Sequence, residues 1–432
     1  MFASILLFSS ALFGLVQAAC IPQSHNDNFP TDPLTLYVAH QGRGILTLQF
    51  DTTKAANESL GIVDETEAGH QPGWICSRDS NIYSVARTYY PDNSSVSGGV
   101  FGFTRIGDDL SKVSENSSDG NGGVFCHINE DGSLMSVANI DGSTVSLHPR
   151  SETGVVGASS HLFKYNLTQP GPGTNDSQIQ SNPHEAVFGP SGPWGQLMVV
   201  PDRGADRVYV YRVRSSGNGT ADVHLAENIT LPLGTGPRHV IFQESLGLMY
   251  LVSELDNTVR VFSIDTSKMS NDVVNITLLQ TASTLGPGSA RTLPINEHLA
   301  SELALSNNGR FLYVSNRDTT SYDSDNLAIF AVNRTTLSPQ PLEWLGINAT
   351  NGKIPRHFAL SSDRENQWVA VANQVSNTIF VFKRSSENGF LEEVKGNLTL
   401  GDFDLTLENG PMAVVWARPR DRGALSTRMD KQ

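Results

Sequence analysis

The chain has 432 residues, of which 38% are apolar and only 17% charged, so it can bury a large core, and length alone would allow two or three domains. A net charge of −14 argues against nucleic acid or an anionic membrane as a partner. It leaves room for an anionic small ligand, provided that arginines cluster locally. The 38 glycines and 21 prolines, with few Ala/Glu/Lys stretches between them, point to an all-β chain of short strands and tight turns.

Residues 1–19 carry no charge, run apolar from Phe2 to Val16 and close on Ala18 and Ala19, as a cleaved secretory signal does. No other apolar run approaches the ~20 residues of a membrane span. Eleven N-x-[ST] sequons follow, at Asn57, Asn93, Asn116, Asn166, Asn175, Asn218, Asn228, Asn275, Asn333, Asn348 and Asn397. Together they predict a secreted, extracellular glycoprotein whose sequons lie on exposed loops or outer strands. Cys20 sits at the signal boundary, Cys76 and Cys126 could pair, and no Cys/His spacing resembles a metal site.

Leu34–His40 and Gly44–Asp51 read as two strands without a partner nearby. A repeat then begins. Weak copies start at Trp74 (WICSRDSNIYSVAR) and Cys126 (CHINEDGSLMSVANIDGSTVSLH), and full ones at His184, Arg238, Ser301 and Arg356. Each full copy is a short apolar strand, a turn, a second strand ending in a polar cluster, and a third strand of alternating aromatic and β-branched residues. From Cys126 the starts are 58, 54, 63 and 55 residues apart, and a further 55 leads to Pro411, where PMAVVWARP supplies one last strand. A period in the fifties with several strands per unit predicts a seven-bladed β-propeller over residues 20–419. Its last unit would be completed by the N-terminal strands, leaving no open sheet edge. Residues 420–432 form a polar tail. The Gly/Pro/Asn-rich stretch from Ser267 to His298 reads as an enlarged connection that could overhang the channel mouth.

Radial repetition places equivalent positions of different blades around one channel mouth. The inner-strand starts contribute Cys126-His127, His184-Glu185, Arg238-His239, Ser301-Glu302 and Arg356-His357. The second-strand ends contribute Asn139, Asp202-Arg203, Glu254, Asn316-Arg317 and Asn373-Gln374. Convergent titratable groups make this mouth the candidate site. The competing expectation is a channel lined with polar groups that bind only water or neighbouring backbone. Asp202-Arg203 could equally be a surface ion pair on a turn.

At these residues the chain resembles the propeller lactonases, which include the propeller type of 6-phosphogluconolactonase and the fungal carboxy-cis,cis-muconate cyclase. The resemblance spans about residues 34–419. It rests on Gly236–His239 (GPRH), Val252–Val259 (VSELDNTV), Gly309–Arg317 (GRFLYVSNR), Pro355–Phe358 (PRHF) and Val371–Gln374 (VANQ). It implies that His184, in an N-P-H segment, and Glu254 carry the acid–base chemistry and that Arg238 and Arg317 bind substrate. His127, His239, Glu302, Arg356 and His357 would stand behind them.

The implied function is hydrolysis of an anionic sugar lactone without metal or cofactor. A base would activate water, and arginines would grip the anionic group and the oxyanion. The alternatives are a carboxymuconate cycloisomerase and, from another class, a secreted non-catalytic propeller that binds protein or glycan at the cell surface.

Overall fold

The computed structural model describes residues 33–173, 177–267, 274–289, 298–319, 323–335 and 338–417; the predicted signal, Cys20, Asn175 and the tail lie outside them. The described residues form seven four-stranded antiparallel sheets and a single 3-10 turn at Glu244–Leu246. The sheets are the blades of a propeller, as the repeat predicts. Blade 1 is composite: Pro411–Trp416 pairs with Leu34–His40, which continues through Gly44–Phe50 to Leu60–Thr66. The inner strands of blades 2 to 7 are His70–Arg78, Gly123–Ile128, Val187–Gly192, Pro237–Gln243, His298–Leu305 and Pro355–Leu360.

Each blade buries both faces of its middle strands against its neighbours. Trp368–Asn373 and Leu248–Ser253 are therefore buried at every residue and read as continuous apolar runs. Ring closure depends on the same packing. Phe50 of blade 1 meets Trp368 of blade 7 edge-on at 5.3 Å and Trp416 of its own blade at 6.1 Å. Cys76 and Cys126 form a disulfide that ties the inner strands of blades 2 and 3.

The Ser267–His298 stretch departs from expectation. Its middle, Asn275–Ser283, is the outermost strand of blade 5 and pairs with Thr258–Asp265, so the stretch is not one long connection; residues 268–273 and 290–297 lie outside the described residues. Five sequons (Asn116, Asn228, Asn275, Asn348 and Asn397) lie on outermost strands. Asn57, Asn93, Asn166, Asn218, Asn228, Asn275 and Asn333 are exposed. Asn116, Asn348 and Asn397 are half-buried.

Candidate active site

One irregularity, repeated from blade to blade, builds the site. Near the start of the inner strand a bulge inserts one residue opposite the end of the second strand. The register shifts between Pro237 and His239, between Pro355 and His357, and between Ala300 and Leu303. Pro183 pairs with Asp202 as Pro237 pairs with Ser253, so His184 holds the corresponding place in blade 4. A bulge re-aims the inserted side chain. The inserted positions around the ring are Met412, Gly73, Val124, His184, Arg238, Ser301 and Arg356. Blades 1 to 3 thus offer small or apolar groups, whereas blades 4, 5 and 7 offer charge and imidazole.

The residue following the bulge forms a second ring, with Trp74, Phe125, Glu185, His239, Glu302 and His357, and this ring closes the channel beneath the mouth. Trp74 meets His357 at 4.6 Å and His239 at 5.3 Å, each edge-on, and Phe125 meets His239 at 5.6 Å. The mouth is therefore a cup with an aromatic and imidazole floor.

On each second strand the residue that pairs just ahead of the bulge is followed by one that faces the mouth, and in five blades that residue forms the wall: Arg87, Arg203, Glu254, Arg317 and Gln374. Glu254 is the hub. Its Oε1 accepts from Arg203 Nη1 at 3.0 Å, and its Oε2 lies 3.0 Å from both Arg238 Nε and Arg317 Nη2. Burial alone would raise the Glu254 carboxyl, but Arg317, Arg203 and Arg238 outweigh it and hold the group well below the usual carboxylate range. Arg238 also donates from Nη1 to the Ser301 carbonyl at 2.8 Å, and Arg317 donates to the carbonyls of Leu299 and Ala300. Arg87 is paired with Asp141 at 2.9 Å.

Arg356 differs from these. It is half-buried and sits close enough to Arg238, Arg317, Arg87 and Glu254 to feel their charges, yet its guanidinium has no hydrogen-bond or ion-pair partner among the described residues. Burial and the three neighbouring arginines push it well below its ordinary value. Its charge faces three other arginines with Glu254 as the one nearby anion that offsets it, and an anion entering the cup would complete the compensation. Its aim is set by Ile354, a β-branched residue with φ of +57°. Such a conformation costs about 1–3 kcal/mol and persists only where its surroundings enforce it. Here Asp325 enforces it, accepting from Ile354 N at 2.6 Å, Asp318 N at 2.9 Å and Lys353 Nζ at 2.8 Å. Blade 5 puts Gly236, φ +61°, at the equivalent place before Pro237-Arg238, held in the same way by Asp206.

His184 is 2% exposed; its Nδ1 is 3.1 Å from His239 Nε2, and its Nε2 has no protein partner among the described residues. Burial, then Arg238 and His239, lower its pKa well below the ordinary value, so the imidazole is neutral. Behind it, His239 Nδ1 lies 3.0 Å from Glu302 Oε2, and His357 Nε2 lies 3.6 Å from the same oxygen.

His184, Arg238, Glu254, Arg317, His239, Glu302, Arg356 and His357 are thus brought together. His127 is not. The register puts Val124-Phe125, not Cys126-His127, opposite Arg238-His239, and His127 accepts a hydrogen bond from Phe188 N below the floor. Asn139, Asn316 and Asn373 turn away from the channel, and each donates its amide to a backbone carbonyl of the preceding loop. Asp202-Arg203 is no surface pair: Asp202 is fully buried and holds Asn182 N at 2.7 Å, while Arg203 joins Glu254. Sequence reasoning misses Arg87 and Asp325 and leaves Arg203 open between the mouth and a surface ion pair. For Arg87 and Arg203, the second-strand endings AR, DR, SE, NR and NQ hold the signal, because the second letter of each faces the channel. Among the described residues no cluster of His, Cys, Asp and Glu is arranged to hold a metal ion, and no helix is long and apolar enough to cross a membrane.

Comparison with known proteins agrees with this architecture. The family model described as "Lactonase, 7-bladed beta-propeller" matches residues 34–403. A 6-phosphogluconolactonase of Formosa agariphila is 23% identical over 359 residues, covering 83% of this chain and 93% of that protein. A 6-phosphogluconolactonase of Serratia proteamaculans is 29% identical over 267 residues, 61% of this chain and 69% of its own. Among solved structures, the periplasmic gluconolactonase of Pseudomonas aeruginosa superimposes with a TM-score of 0.72 at 23% identity, covering 89% of this chain and 99% of that one. The chain belongs to the seven-bladed β-propeller lactonase family.

Proposed function

We propose that this protein hydrolyses an anionic sugar lactone of the 6-phosphogluconolactone type. The observation that carries the reading is the presence, in one cup, of Arg356 and a neutral His184, with neither the guanidinium nor the imidazole Nε2 partnered among the described residues. Arg356, with Arg238 and Arg317 beside it, takes the phosphate or carboxylate by charge-assisted hydrogen bonds.

In this reading a water attacks the lactone carbonyl carbon while its proton passes to His184 Nε2. A guanidinium stabilises the oxyanion. Collapse then breaks the bond to the ring oxygen, which takes the proton back from the imidazolium, and the hydroxy acid leaves as its carboxylate after losing a proton to solvent. Glu254 serves as the ionised anchor that orders three arginines.

Proton release at constant pH, on mixing with 6-phosphoglucono-δ-lactone and with glucono-δ-lactone, tests this. The expected result is opening well above the spontaneous rate with higher kcat/KM for the phosphorylated compound. No acceleration of either would overturn it. The arginine excess also suits several carboxylates, which keeps lactonisation of a carboxymuconate as a second reading, measured by ultraviolet loss of that substrate. We further propose that the protein acts outside the cytosol, a reading supported by the Cys76–Cys126 bridge and seven exposed sequons.

A further inference from the structure

We propose that Glu302 and His239 are positioning residues: together they fix the proton of His184 on Nδ1 and present its Nε2 lone pair to the cup. The hydrogen-bond directions follow from two fixed points. Glu302, buried and held ionised, can only accept. Val414 N can only donate, and it donates to His357 Nδ1 at 3.3 Å. The remaining proton of a neutral His357 is therefore on Nε2, 3.6 Å from Glu302 Oε2. His239 must donate from Nδ1 to the same oxygen at 3.0 Å, which makes its Nε2 an acceptor. That acceptor receives Arg238 Nη1 at 3.4 Å and His184 Nδ1 at 3.1 Å. His184 must then carry its proton on Nδ1. No other assignment satisfies the carboxylate, the backbone amide and three neutral rings at once.

The chain crosses three blades, from Glu302 in blade 6 through His239 in blade 5 to His184 in blade 4. The charged and titratable groups around it are Arg203, Arg238 and Arg356 beside His184, Glu185 and His357 beside Glu302, and Glu254 bound to Arg203 and Arg238. Glu302 is the anion hydrogen-bonded into this chain. It favours an imidazolium on His184, which makes the ring a stronger base than the arginines alone would allow.

The tautomer does not depend on the lactonase reading; only the kinetic readout does. Nitrogen-15 NMR of the imidazole rings, with His184 assigned by the spectrum lost in His184→Asn, should show a protonated Nδ1 and a bare Nε2 in the wild type. A protonated Nε2 would overturn the proposal. Glu302→Gln should abolish the single tautomer. It should also lower the plateau kcat by about tenfold, a part of the ~10²–10⁴-fold that a general base contributes. Removing the negative charge lowers the His184 pKa, so the acid limb of the kcat profile should move to lower pH as the plateau falls. Glu302→Asp, which keeps the charge, should restore much of the plateau. A Glu302→Gln enzyme whose tautomer and acid limb both match the wild type would refute the relay, because lost packing alone lowers the plateau without moving the limb.

Discussion

His184 and Arg238 occupy the same place in neighbouring blades. Each follows a proline that pairs with the last residue of the second strand, Pro183 with Asp202 and Pro237 with Ser253. One structural position, used twice, sets an imidazole beside a guanidinium, and a third use in blade 7 adds Arg356 after Pro355.

Arg356→Ala should raise KM for a phosphorylated lactone by about 10- to 100-fold, the equivalent of one charge-assisted hydrogen bond of ~1.5–3 kcal/mol. KM for the unphosphorylated lactone should change little. Steady-state kinetics on both substrates checks this, and an equal effect on the two would show that Arg356 does not read the anionic group.

Asp325→Asn should act through the same guanidinium. Without the carboxylate, Ile354 can relax from its left-handed conformation and Arg356 shifts with it. The variant should mimic Arg356→Ala in KM, and the double variant should be no worse than Arg356→Ala alone. Additive losses in the double-mutant cycle would contradict the coupling.

Glu254→Gln leaves three arginines without their shared counter-charge and should destabilise the fold by about 3–5 kcal/mol, read from urea denaturation at pH 7. The pH dependence has a definite sign. Because the folded-state pKa of Glu254 is depressed, its contribution is present above the unfolded carboxylate pKa and lost as pH falls towards the folded value. The gap between wild type and variant should therefore narrow below about pH 4.5. A constant gap down to pH 2 would refute this account of the hub.

Reduction of Cys76–Cys126, or Cys76→Ser with Cys126→Ser, should cost about 2–4 kcal/mol and lower Tm, with kcat/KM preserved because His184, Arg238 and Arg356 stand on the inner strands of blades 4, 5 and 7 and the bridge joins those of blades 2 and 3. Calorimetry with and without a reductant measures it.

The ring was legible because a blade cannot bury its faces alone, so its apolar pattern must repeat, and the orphan strands at both ends pointed to closure. Most of the site was legible for a related reason: the PRH segments and the SE and NR endings recur at blade spacing. What failed was register. A bulge adds a residue without changing the apolar alternation around it, so Cys126-His127 could pass for the counterpart of Arg238-His239 when Val124-Phe125 holds that place. Arg203 was masked for another reason, since a D-R pair on a turn has the composition of a surface ion pair. The strain at Ile354 is a property of φ, and nothing in the residue type announces it.

The most direct measurement is the ring-opening rate of His184→Asn on saturating 6-phosphoglucono-δ-lactone, alongside its affinity for the 6-phosphogluconate product. The account predicts opening at the spontaneous rate with product affinity retained, since the arginines are untouched. Opening within twofold of the wild-type kcat would contradict it.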